Sequence, residues 1–262
     1  MNTERVSNHI VSWLKEYAKK ANVTGFVVGV SGGIDSAVTS TLCAKTGLHT
    51  LCVEMPIHQS ESQVIRGQKH IEHLKSQFKN VSATKVDLTS TFEAFKNANK
   101  QEQNTPKLDL ALANTRARLR MSSLYYLAGL HGLLVAGTGN KIEDFGVGFY
   151  TKYGDGGVDL SPIADLLKSE VYQLATHLNV INSIQNAAPT DGLFGDSRTD
   201  EDQIGASYDE LEWAMKMKVQ DKTPQDFSGR QLEVFTIYTR LNMLNQHKMN
   251  PIPVCIINND LK

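Results

Sequence analysis

The densest chemistry in this chain lies in Gly29-Val30-Ser31-Gly32-Gly33-Ile34-Asp35-Ser36. Three readings compete for it. As a phosphate cradle, its glycines let the backbone turn tightly and bring N–H groups close to a ligand. Ser31 and Ser36 add hydroxyl donors, and a helix that follows offers its N-terminal amides and positive dipole end to an anion. Asp35 would repel phosphate unless a divalent cation lay between them, so this reading predicts Mg2+. As a nucleophile elbow, Gly29-x-Ser31-x-Gly33 fits G-x-S-x-G between strand and helix. That chemistry also needs an acid and then a histidine. His131, His177 and His247 follow, but none in a telling context, and Asp35 and Ser36 have no evident part in it. The third reading is a plain strand-to-helix turn with glycines for close packing. A Walker A loop is excluded because no lysine follows a second glycine at the required spacing. The dinucleotide fingerprint G-x-G-x-x-G is absent as well.

Other residues stand out more faintly. Lys168 opens a helical stretch, where its charge opposes the dipole unless an anion is near. Arg116, Arg118 and Arg120 share nearby turns of one long helix. Asp196, Asp200, Glu201 and Asp202 crowd a polar stretch from 187 to 207, which reads as a solvated loop, or as a closing lid or a lure for a small cation. His247-Lys248 lies in a polar tail. Cys43, Cys52 and Cys255 are odd in number and lack C-x-x-C spacing, which argues against a disulfide framework or a zinc site and for a reducing compartment, the cytoplasm.

These residues need a scaffold, and the hydrophobic pattern describes one. Val6, Ile10, Trp13, Leu14 and Tyr17 recur at helical spacing among charges. Gly25 to Val30 is a short β-branched run that suits a strand buried on both faces. A helix from Ala37 to Lys45 closed by Gly47 follows, then strands at Leu51–Val53 and Val81–Leu88 around a helix from Ile65 to Phe78. Thr89 is placed to cap a helix reaching Phe95. Leu108 to Leu130 is a long helix, Leu133–Ala136 another buried strand, Leu166 to Leu178 a further helix, and two helices precede Pro251. Strands alternating with helices predict an α/β layered sandwich with a central parallel sheet. At 262 residues, 40% hydrophobic and 21% charged, the chain fits one globular domain over 1–262. The formal net charge of −1 gives no basis for a nucleic-acid or membrane-surface binder, and no segment reaches the length of a membrane span.

Ser-Gly-Gly-x-Asp-Ser after a first strand resembles the pyrophosphate loop of the N-type ATP pyrophosphatases, which share an adenine nucleotide alpha hydrolase-like fold. The segment Gly148-Phe149-Tyr150-Thr151-Lys152-Tyr153-Gly154-Asp155-Gly156-Gly157-Val158-Asp159 resembles the signature of the ammonia-dependent NAD synthetases within that group. Asn114-Thr115-Arg116-Ala117-Arg118, Gly137-Thr138, Ala188-Pro189-Thr190 and His247-Lys248 follow in the same order at compatible spacings. The resemblance implies that Gly29, Ser31, Gly32, Gly33, Asp35, Ser36, Thr138, Lys168 and Thr190 hold ATP. It implies that Asp35 and Glu143 bind Mg2+, with Asp35 and Lys168 catalytic. Arg118, Lys152, Asp159, His247 and Lys248 would hold deamido-NAD. Three departures stand out, one being a segment between Glu143 and Lys152 that is one residue longer than in some members. Glu54-Met55-Pro56 replaces the family's Arg-Leu-Pro, leaving Gln59 or Gln63 to contact the nucleotide, and Asn140-Lys141 replaces a histidine-bearing version.

The implied reaction adenylates the nicotinate carboxylate of deamido-NAD with ATP, releases pyrophosphate, and lets ammonia displace AMP to give NAD. A glutamine-using relative would carry a further amidase domain with a nucleophilic cysteine. Cys43 and Cys52 fall in expected core elements, so free ammonia or a separate donor protein is implied, and the family resemblance implies a homodimer. A tRNA-modifying ligase of the same group, or a nucleotide-binding sensor without catalysis, are the alternatives.

Overall fold

A computed structural model describes residues 1–100, 105–190 and 199–261. Helix α1 (Thr3–Ala21) leads into strand β1 (Gly25–Gly29), helix α2 (Ile34–Lys45), strand β2 (His49–Glu54), helix α3 (Glu61–Gln77) and strand β3 (Val81–Lys85). Helices α4 (Thr89–Ala98) and α5 (Pro106–His131) precede strand β4 (Leu133–Val135) and a single π-helical turn, Ile142–Val147. The second half contributes α6 (Lys168–His177), the short α7 (Asn182–Gln185) and α8 (Asp200–Ile204), α9 (Tyr208–Val219) and α10 (Gly229–Met249).

The strands form one parallel sheet in the order β3-β2-β1-β4, with Val27 of β1 opposite Leu51 of β2 on one side and Val135 of β4 on the other. The chain winds outward from β1 through β2 to β3, then returns to lay β4 on the opposite side of β1. The direction of winding thus reverses between β1 and β4. In open α/β sheets such a reversal leaves a crevice at the carboxyl ends of the two strands. Here those ends are the Ser31-Gly32-Gly33 loop and the Ala136–Asn140 turn.

Side-chain alternation along β1 sorts the layers. Phe26 and Val28 face one way, into a core with Leu14 of α1, Val38 and Leu42 of α2 and Leu174 of α6. Val27 faces the other way, with Val53, Phe92 of α4, Ala128 of α5 and Val135. Residues of the π turn, α9 and α10 close a third cluster around Leu211 and Phe235. The expected layered α/β sandwich is what forms.

Several boundaries differ from the sequence reading. Helix α2 begins at Ile34 rather than Ala37, so its first amides lie in the glycine-rich loop itself. Thr89 does not cap α4; its own N–H donates to Asp87 Oδ1 at 2.9 Å. Helix α5 is capped by the Thr105 side chain, which accepts from Leu108 N at 3.2 Å, and it stops at Gly132 in the left-handed region. Trp13 and Tyr17 stack on each other at 5.5 Å on the exposed side of α1 instead of joining the core. None of the described helices is long and apolar enough to cross a membrane.

Candidate active site

The glycine-rich loop turns at Gly32, whose φ of +82° is a left-handed conformation that glycine adopts without strain. A Cβ there would also lie 2.5 Å from the Gln63 carbonyl oxygen of α3. Arg66 of the same helix donates through Nε to the Gly32 carbonyl at 3.3 Å. The two serines hold the loop from inside. Gly33 N donates to Ser31 Oγ, Ser31 N donates to Ser36 Oγ, and Ser36 Oγ donates to the Gly33 carbonyl, at 3.2, 3.2 and 3.0 Å. Gly33 is the N-cap of α2 and offers no side chain to its first amides. Those first-turn amides have no partner within the helix either, which is the geometry of an anion seat.

Asp35, in the first turn of α2, faces across the crevice. Its Oδ2 accepts from Lys168 Nζ at 2.5 Å, and Lys168 reaches Glu143 Oε1 at 3.3 Å. The Lys168 side chain is only 4% exposed. Two carboxylates therefore satisfy a buried ammonium that its own helix dipole disfavours. Burial acts against the Lys168 charge, but Asp35 and Glu143 overcome it and hold the ammonium protonated well above the ordinary range. Burial pushes the Glu143 carboxyl upward while the Lys168 charge pulls it back. A carboxylate facing that ammonium stays ionised, and we read Glu143 so.

Asn140, fully buried after β4, links the two acids. Its Nδ2 donates to Asp35 Oδ1 at 3.2 Å, and its Oδ1 accepts from the amides of Ile142 and Glu143 at 3.1 and 3.2 Å. The π turn it opens swings Glu143 and Asp144 toward the crevice. Asp144 lies so close to Gly139 that a Cβ there would sit 2.2 Å from Oδ1, which only glycine avoids. Burial, then the charges of Glu143, Asp155 and Asp35, push the Asp144 carboxyl up to about 7. Helix α6 tolerates Lys168 at its start because Glu170 accepts from Leu167 N at 2.9 Å and Glu212 accepts from Ser169 N at 2.8 Å.

One cavity joins the residues expected to hold ATP and metal. Gly29, Ser31, Gly32, Gly33, Asp35, Ser36, Thr138, Glu143, Lys168 and Thr190 all line it. Glu54, Met55 and Gln59 line it too, and Arg120 crosses from α5 to donate to the Met55 carbonyl and to Gln59 Oε1, both at 2.9 Å. The Gln59 carbonyl is thus engaged by protein. Gln63 faces the same cavity.

Four of the five residues expected to hold deamido-NAD are linked through the signature segment. Arg118 donates to the Lys152 carbonyl at 3.3 Å, Lys152 Nζ donates to the His247 carbonyl, and Lys248 Nζ donates to the carbonyls of Gly148 and Tyr150, each at 2.8 Å. His247 Nδ1 meets the Leu244 carbonyl at 3.1 Å. Both oxygens of Asp159 accept, one from Tyr125 Oη at 2.9 Å and one from Val135 N at 2.8 Å, so it ties the β4 edge to α5. None of these five lines the ATP cavity. Within the signature segment, Asp155 Oδ1 accepts from Thr151 N at 2.9 Å, and Thr151 Oγ1 donates to Asn114 of α5 at 2.6 Å.

Of the acidic stretch, Asp196 lies outside the described residues. Asp200 is buried in the cavity wall, Glu201 accepts from Tyr208 N at 2.9 Å, and Asp202 caps Thr199. All three described acids belong to α8, where Asp200 is buried and Asp202 stays exposed. Arg66 and Tyr208 were missed by sequence reasoning, and Arg120 and Asn140 were noted there without a role in the site. Arg120 is a helical arginine with no distinguishing spacing, and Asn140 had a visible signal in standing directly after the Gly137-Thr138-Gly139 turn.

Comparison with known proteins agrees with this arrangement. Residues 6–251 match the family described as NAD synthase. The chain belongs to that family. A Mesoplasma florum protein named NH3-dependent NAD+ synthetase is 38% identical over 251 residues, 95% of this chain and 96% of its own. Among solved structures, an NMN synthetase from Francisella tularensis superposes with a TM-score of 0.83 at 30% identity, covering 99% of each chain. An NH3-dependent NAD synthetase from Campylobacter jejuni gives a TM-score of 0.77 at 26% identity, over 98% of this chain and 100% of that one. For an NAD synthase, an acid pair and a lysine beside a Ser-Gly-Gly loop is a site suited to handling ATP, not a hydrolase elbow. Ser31 Oγ is bonded to Ser36 Oγ at 3.1 Å, and among the described residues no histidine lines the cavity.

Proposed function

We propose that this chain amidates deamido-NAD with ammonia at the expense of ATP, giving NAD, AMP and pyrophosphate. The observation that carries this reading is the buried Lys168 held between Asp35 and Glu143 at the mouth of the phosphate loop. In the first step a nicotinate carboxylate oxygen attacks the α-phosphorus and pyrophosphate leaves. A carboxylate is already a nucleophile, so no general base is required. The first amides of α2 and the Ser31 hydroxyl face the departing pyrophosphate while Ser36 braces the loop from inside, and Lys168 neutralises charge as it develops. In the second step the ammonia nitrogen attacks the acyl carbon, loses a proton, and AMP leaves.

Asp35 and Glu143 fit a divalent cation. They are hard oxygen donors from different elements, the first turn of α2 and the π turn, on either side of a position now taken by an ammonium, as suits a cation that keeps waters and phosphate oxygens as its other ligands. Mg2+ held there would supply charge neutralisation at the phosphates. Thr138 and Thr190 contact ATP in this reading, and Arg118, Lys152, His247 and Lys248 hold the dinucleotide substrate, with Asp159 contributing by fixing the β4 edge against α5. The nitrogen comes as free ammonia or from a separate donor protein. The chain works as a single domain over 1–262, in the cytoplasm and as a homodimer.

A second substrate reading is favoured by the Francisella tularensis neighbour, which is named for NMN. Its acid precursor would be nicotinate mononucleotide. The test supplies deamido-NAD or nicotinate mononucleotide with Mg-ATP and ammonium, and measures the amide product and pyrophosphate. NAD formation well above the mononucleotide reaction is the expected outcome. Faster NMN formation would reassign the substrate, and no amide from either would sink the ligase reading.

A further inference from the structure

Tyr208 has no part in the roles above, yet it meets Glu143, Lys168 and Asp200. Its hydroxyl donates to Glu143 Oε1 at 2.6 Å, the same oxygen that Lys168 reaches at 3.3 Å. The Lys168 ammonium stands 4.7 Å from the centre of the Tyr208 ring. Asp200 Oδ2 lies 3.4 Å from the same hydroxyl. A phenol has one proton to give, and the shorter contact assigns it to Glu143.

The residue is also held from behind. Tyr208 is only 4% exposed and is the first residue of α9, whose start is fixed by reciprocal bonds between Ser207 and Glu210. Glu210 is gripped by Arg230 of α10 through two contacts of 2.7 Å. The Tyr208 amide donates to Glu201 of α8 at 2.9 Å. A buried tyrosine needing only a hydrogen-bond partner would not require anchoring to three helices.

We propose that Tyr208 is a positioning residue of the adenylation site, its hydroxyl fixing the Glu143 carboxylate beside Lys168. The inference rests on reading Asp35, Glu143 and Lys168 as the adenylation machinery, and it adds how that machinery is kept aligned. Lys168 divides its protons between two carboxylates and must also serve phosphate. A neutral donor that cannot leave keeps Glu143 in place while the lysine is so engaged. The aromatic ring does a second task, walling off the ammonium and favouring it through its negative face.

Tyr208→Phe keeps the ring and removes the hydroxyl. Calorimetric titration with a non-hydrolysable ATP analogue is done with Mg2+ and again in chelator, on both proteins. The variant is expected to lose about tenfold in affinity with Mg2+ and to match wild type in chelator, since a hydrogen bond to a charged group is worth that much. Pyrophosphate release should show a kcat lower by at least about tenfold, with the KM for deamido-NAD little changed. A purely structural tyrosine would lower the melting temperature without separating the two titrations. Equal Mg2+-dependent affinity and equal kcat in both proteins overturns the inference. A wild type that gains no affinity from Mg2+ overturns the cation reading of Asp35 and Glu143, and this one with it.

Discussion

At the scale of single residues, Asp35 carries the most. It belongs to the loop that seats an anion, yet it is an acid, and the structure resolves that conflict by pairing it with Lys168 and Asn140. Asp35→Ala leaves the ammonium with one carboxylate partner and strips the proposed cation site of a ligand. Pyrophosphate release should fall by at least about a hundredfold, the usual scale for losing a group that offsets transition-state charge. Asp35→Asn serves as the shape-conserving control. A variant that adenylates at the wild-type rate would remove Asp35 from that role. The loop residues and Asp35 were legible in the sequence because their types and spacing are local. Lys168 was legible only as an oddity, a lysine where the helix dipole disfavours one. Tyr208 and Arg66 gave no signal, because a tyrosine or a helical arginine has the same neighbours in sequence whether or not it faces a site.

At the scale of elements, the joint between α2 and α3 supports the phosphate loop and has its own pH dependence. His70 of α3 is fully buried, with Nε2 at 2.9 Å from Ser40 Oγ of α2. The Ser40 hydroxyl donates to the Ser36 carbonyl at 2.8 Å, so the bond from His70 runs from Nε2–H to Ser40 Oγ. His70 Nδ1 has no partner, and a proton there would be buried and unpaired. Burial accordingly lowers the His70 pKa from 6.5 to about 4. The unfolded chain then binds that proton more tightly than the folded one. Stability is full above pH 6.5 and is lost as pH falls toward 4, by roughly 3 kcal/mol across the window. His70→Gln should therefore show a smaller drop in melting temperature between pH 7.5 and pH 5 than wild type. An identical drop in both proteins would place the acid sensitivity elsewhere. The sequence showed α3 from its hydrophobic spacing but could not show which face met α2.

At the scale of the whole molecule, large apolar side chains stay exposed on two long helices. Tyr126 and Leu130 of α5 are 68% and 61% exposed, and Met243 and Leu244 of α10 are 69% and 56% exposed. Their number on these two elements supports the proposed homodimer. Wild type should sediment as a dimer at micromolar concentration, and Leu130→Glu as a monomer of unchanged circular dichroism. A monomeric wild type would refute the assembly.

The sequence alone determined the α/β alternation, the anion-binding loop and the family it belongs to. These are properties of periodicity and of contiguous motifs, and a chain of residues expresses them before it folds. Only the tertiary structure decided where β4 sits. By placing it beside β1 and opposite β2, the fold opens the crevice and brings Asp35, Glu143, Lys168 and Tyr208 together, although 173 positions separate the first from the last. It also decided that Asp159 ties the sheet edge to α5 and that Asp200 of α8 is buried in the cavity wall. Those outcomes turn on which long-range partner each polar group finds once water is excluded, and burial sets that choice.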